Sequence, residues 1–111
     1  IGDPSVQGSL SAELILKVAR KRYREIEFCY RRGLEKNPDL AGKTHVKLTI
    51  SPNGHVVAAR AVKDTLNHEA TLTCVTSKIR RWEFAEPKGG GIAVATLPIE
   101  FSPQSSESDD E

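Results

Sequence analysis

Val46, Leu48 and Ile50 alternate with His45, Lys47 and Thr49, the two-residue period of a strand with one face buried. Ser51-Pro52-Asn53-Gly54 follows as a turn, with proline presetting φ and Asn-Gly tolerating positive φ. His55–Val62 then reads as a second strand, so the pair forms a hairpin. Upstream the period changes. Ile15, Val18, Ala19, Arg22, Ile26, Cys29, Tyr30 and Gly33 share one face at 100° per residue, flanked by Leu14, Tyr23 and Leu34. That predicts one long helix, capped at Ser11 and ended by Asn37-Pro38, because a residue before proline leaves the α region. Leu72, Val75, Ile79 and Trp82 mark a second helix from about Asn67 or His68 to Arg81, with Cys74 on its flank. After the Pro87–Gly91 loop, Leu97, Ile99 and Phe101 share one face of a third strand over 92–101.

The order is therefore α-β-β-α-β, and each amphipathic helix needs an apolar sheet face to cover. The expected fold class is α+β, with two α-helices on one face of a three-stranded antiparallel sheet. The third strand lies beside the first, giving the spatial order 2-1-3 through a right-handed crossover.

The ends differ in composition. Residues 1–9 hold two Gly, a Pro and two Ser without periodicity and read as a linker end, leaving a domain over 10–102. Residues 103–111 read as a disordered acidic tail. The 111-residue chain carries +1 overall, but four of its 15 acidic groups lie at 107–111. Residues 1–101 thus hold 16 basic against 11 acidic groups. No run of about 18 apolar residues exists to span a membrane, and no signal peptide is visible.

Pro98 has no N–H and is tolerated at a sheet edge, so the third strand is expected to be an edge with an open outer rim. Ala93, Val94, Ala95, Thr96, Leu97 and Pro98 would line that rim, and a partner strand could add along it. The alternative is that Pro98 only blunts the edge against aggregation. Lys17, Arg20, Lys21 and Arg24 form a basic patch on the first helix, read as a solvated face or a site for an acidic segment or anionic lipid. Nothing demands a nucleic-acid partner. His45, His55 and His68 lack metal-ligand spacing, no phosphate loop, carboxylate pair or nucleophile elbow is present, and neither metal, cofactor nor enzymatic activity is expected. Cys29 and Cys74 either form one disulfide or remain buried thiols.

Taken together, Gly42 before a strand, the Val46/Leu48/Ile50 alternation and the Pro52-Asn53-Gly54-His55-Val56 turn resemble the TonB C-terminal domain family. Ala70, Leu72 and Val75 in a helix that ends Ile79-Arg80-Arg81-Trp82-Glu83-Phe84, and the closing Pro98-Ile99-Glu100-Phe101, extend the resemblance over about residues 9–103. Cys29-Tyr30, the run Asn37-Pro38-Asp39-Leu40-Ala41-Gly42 and Cys74 are similar to the AgmX/PglI C-terminal branch, named after gliding-motility proteins. Two features depart from relatives. A Tyr-Pro pair near the first helix is absent, and Ala85 stands where many have proline.

The resemblance implies a non-enzymatic periplasmic domain of an inner-membrane-anchored protein. Through its upstream region it would couple to a proton-driven motor complex, and it would pass force or energy to an outer-membrane or periplasmic protein peptide. It implies strand addition at the last strand and a Cys29–Cys74 disulfide, which an oxidising periplasm would sustain. Gliding motility is the expected setting. Energising transport through outer-membrane receptors is the alternative, as is an anion-binding module using the basic helix face.

Overall fold

The computed structural model describes residues 1–103. Its elements in chain order are β1 (Ser5–Gln7), α1 (Ala12–Lys21), α2 (Tyr23–Lys36), β2 (Gly42–Ile50), β3 (Val56–Asp64), α3 (Glu69–Ile79), a 3-10 turn at Lys88–Gly90, and β4 (Ala93–Phe101). The strands form one antiparallel sheet in the order β1-β4-β2-β3. The expected neighbours are thus correct: the third predicted strand pairs with the first, register Gly42↔Phe101 through Ile50↔Ala93. Among the described residues the sheet nevertheless has four strands, not three.

The added strand comes from the segment expected to be a linker. Ser5, Val6 and Gln7 lie opposite Thr96, Ala95 and Val94. Pro4 and Leu10 are buried, and Val6 packs against the core. The domain therefore begins within residues 1–9. The acidic end expected to be disordered lies, from residue 104 on, outside the described residues.

The single long helix is two helices, broken at Arg22 (φ −102°, ψ 9°). The cause is visible in the sequence: Arg22 falls in the apolar stripe. The break lets its guanidinium leave the core and meet Glu25 at 3.2 Å. The other Glu25 oxygen accepts from the Trp82 indole N–H at 3.1 Å, tying the start of α2 to the segment after α3.

Core and caps follow the chemistry. Ser11 accepts the Leu14 N–H at 3.2 Å as the cap of α1. His68 does the same for α3, its Nδ1 accepting from the Thr71 N–H at 3.3 Å. Thr44, Val46, Leu48 and Ile50 of β2 and Ala93, Ala95, Leu97, Ile99 and Phe101 of β4 face the helices and are buried. Ile15, Ala19, Ile26, Tyr30, Val75, Ile79 and Trp82 cover them. The hairpin tip requires glycine. Gly54 has φ +88°, and a Cβ there would stand 2.2 Å from the Phe84 carbonyl oxygen. Phe84 N–H donates to the Gly54 carbonyl at 2.9 Å, clamping the chain after α3 onto the tip.

Candidate functional site

The expected site is the rim of β4, and its orientation is as the sequence implied. The Pro98 carbonyl accepts from the Gly2 N–H at 3.0 Å on the side away from β2. By strand alternation the N–H and C=O groups of Val94 and Thr96 point the same way. Pro98 thus withholds no donor from the β2 ladder.

The rim is not open. Ser5–Gln7 run antiparallel along it, with Ser5 opposite Thr96 and Gln7 opposite Val94, and Gly2 adds one hydrogen bond at Pro98. Direct strand addition along Ala93–Leu97 to a vacant edge is therefore excluded in this conformation, and β4 is an interior strand. The sequence hid this because Ser-Val-Gln is too short and polar to show a period, and Pro4 and Gly8 on either side read as punctuation.

The cover is narrow: β1 spans three residues against the nine of β4. It is held at one end by glycine geometry. Gly8 has φ +113°, and a Cβ would approach the Ile92 carbonyl oxygen to 2.7 Å. Ala93, Ala95 and Leu97 point into the core, while Val94, Thr96 and Pro98 face the sheet surface that no described helix covers. Among the described residues, the sheet edges without a neighbouring strand belong to β1 and β3, and on β3 Val57 and Val62 are exposed.

Cys29 and Cys74 form a disulfide, Cα–Cα 5.6 Å, joining α2 to α3. On the same two helices the exposed Phe28 ring receives Arg32 at 5.7 Å and Lys78 at 5.4 Å from its centroid, a second α2–α3 link. Gly33 allows the close approach beneath, where a Cβ would meet Thr71 Oγ1 at 2.3 Å.

The break at Arg22 divides the expected basic patch. Lys17, Arg20 and Lys21 stand on α1 and Arg24 on α2, all exposed. The histidines serve separate positions: His68 caps α3, His55 bridges to Glu83, and His45 lies on the helix-free sheet face. Among the described residues no group of three His, Cys, Asp or Glu side chains could hold a metal. No described helix is long and apolar enough to cross a membrane.

No protein-family model matches the chain, and no curated protein does. Among solved structures, the fold is similar to the NMR structure of the TonB C-terminal domain of Helicobacter pylori (residues 179–285). The TM-score is 0.54 at 21% identity, over 84% of this chain and 83% of that one. The chain therefore has a TonB C-terminal-domain-like fold.

Proposed function

We propose that this domain works in the periplasm, passing force or energy from an inner-membrane proton-driven motor complex to an outer-membrane partner, in gliding motility. Partner docking is by strand exchange: an extended partner segment takes the place of β1 along β4. The TonB-like fold supports the general reading, and the Cys29–Cys74 disulfide fits an oxidising compartment.

The observation that carries the docking mode is the mismatch between β1, three paired residues with one further hydrogen bond at Gly2, and the nine-residue β4. A longer incoming strand can form more main-chain hydrogen bonds to β4 than β1 does, while Val94 and Thr96 select its side chains. Placement also matters for load. β1 is the element nearest residue 1, so tension arriving there strains the β1–β4 bonds first. The disulfide lies on the other side of that junction, holding α2 to α3 while β1 is loaded.

The exposed Val57 and Val62 on the unpaired β3 edge favour a second location for an added strand. Titrating the isotope-labelled chain with extended periplasmic peptides distinguishes the two. Exchange moves the backbone resonances of 93–98 and shifts Ser5–Gln7 to coil values. Changes confined to 56–64 place the partner on β3, and changes confined to Lys17, Arg20, Lys21 and Arg24 refute both.

A further inference from the structure

The face of the sheet that no described helix covers carries two cations set side by side. Lys47 lies directly opposite Arg60, and Lys63 is opposite the imidazole of His45. Like charges directly opposite on antiparallel strands destabilise a sheet. Among the described residues neither Lys47, Arg60 nor Lys63 has an ion pair. The acids nearby do not relieve them. Glu100 is opposite Lys43 at the end of the sheet, and the Asp64 carboxylate accepts the N–H groups of Leu66 and Asn67 at 3.2 and 3.0 Å.

Lys47 and Lys63 line a shallow groove of about 430 Å³ that crosses all four strands, together with His45, Val62, Val94 and Thr96. Lys47 also lines the adjoining depression with Arg60 and Arg80, so the positive surface is continuous. Among the described residues the buried Nδ1 of His45 has no hydrogen-bond partner.

We propose that this face binds an acidic, extended polypeptide segment of a partner protein. Spacing selects the occupant. Lys43, His45 and Lys47 repeat at every second residue of β2, about 6.6 Å apart, and Lys63 and Arg60 flank them one strand over. Carboxylates on alternate residues of an extended chain repeat at the same interval. The valines beside them, Val62 and Val94, suit the aliphatic stems of such a chain better than a phosphate headgroup. The repulsion between Lys47 and Arg60 is the cost the free domain carries and the bound carboxylates remove. The groove shares Val94 and Thr96 with the β4 docking site and Ser5 and Gln7 with β1, but its cations stand on β2 and β3, so the inference stands whether or not β1 is exchanged.

The test titrates the labelled full chain with the blocked peptide Ala-Glu-Ala-Asp-Ala-Glu-Ala, with its Gln/Asn counterpart as control. Binding should shift Lys43, His45, Lys47, Arg60 and Lys63, and weaken at least tenfold as salt rises from about 50 to 200 mM. Arg60→Glu should reduce affinity at least tenfold and raise the melting temperature, because it turns a repulsive pair into an attractive one. A melting temperature that does not rise with Arg60→Glu overturns the repulsion argument. Shifts on α1 and α2 instead, or equal binding of the neutral peptide, overturn the proposal. So do shifts of this face caused by phosphatidylglycerol vesicles and not by the peptide. A chain with Glu107→Gln, Asp109→Asn, Asp110→Asn and Glu111→Gln that binds over tenfold more tightly assigns the face to the chain's own acidic end, which overturns the partner.

Discussion

Ser5 lies directly opposite Thr96, and this pair turns the last strand of the sequence into an interior strand of the sheet. Everything proposed for docking depends on how firmly that pair is held. The short β1 buries little: Val6 is only half-buried, and Ser5 and Gln7 are exposed. Gly8 supplies the one conformation that lets the chain turn from β1 toward α1 against Ile92.

Gly8→Ala should therefore release β1 without unfolding the domain. A Cβ would clash with the Ile92 carbonyl, and φ +113° is strained for alanine. The backbone resonances of Ser5–Gln7 should move to coil values while those of α2, α3 and β2 stay in place. Loss of dispersion throughout the spectrum would show that β1 is integral to the fold.

Joining Cys29 to Cys74 closes a 45-residue loop, for which chain entropy gives roughly 4 kcal/mol of stabilisation. That is a large share of the stability of a domain this size. Cys29→Ser with Cys74→Ser should lower the denaturant midpoint by a corresponding amount, read by circular dichroism. A change below about 1 kcal/mol would mean that α2–α3 packing holds the helices alone.

The extent to which this fold was legible in the residues varies by element. Alternation in β2 and β4 was clear because one face of each is buried and the other is not, and the right-handed crossover between the second and third predicted strands gave their pairing. The hairpin turn was equally clear, since Pro52-Asn53-Gly54 is turn chemistry and Gly54 takes φ +88° there. The break at Arg22 was half-written: a cation in an apolar stripe is a conflict, but the stripe does not say whether the side chain snorkels or the helix breaks. β1 was not legible, because three residues paired to a strand some 90 positions away leave no local signal. The open rim inferred from Pro98 failed for that reason. Proline reported which way its nitrogen points, not what lies beyond it. The facing cations of the sheet surface were present as letters, but their juxtaposition depends on the β2–β3 register and its bulges.

Tyr30 sets the alkaline limit. Its hydroxyl donates to the Leu40 carbonyl at 2.5 Å, its ring packs on Phe101 at 5.0 Å between centroids, and burial raises its pKa above 10.0. With the folded pKa above the unfolded one, this contribution is complete below about pH 10 and is lost as pH rises through the folded value. Tyr30→Phe should cost about 1–3 kcal/mol at neutral pH by leaving the Leu40 carbonyl unpartnered. It should also flatten the loss of stability above pH 10, followed by thermal melts across the alkaline range. An unchanged alkaline slope would remove Tyr30 from the account.

Amide hydrogen exchange along β4 tests most directly whether β1 is a removable cover. The N–H groups of Val94 and Thr96 point to β1, and those of Ala95 and Leu97 point to β2. If β1 lifts while the domain stays folded, Val94 and Thr96 should exchange at least about 30-fold faster than Ala95 and Leu97, relative to their intrinsic rates. Equal protection of all four amides, at the level of global unfolding, would contradict strand exchange on this rim.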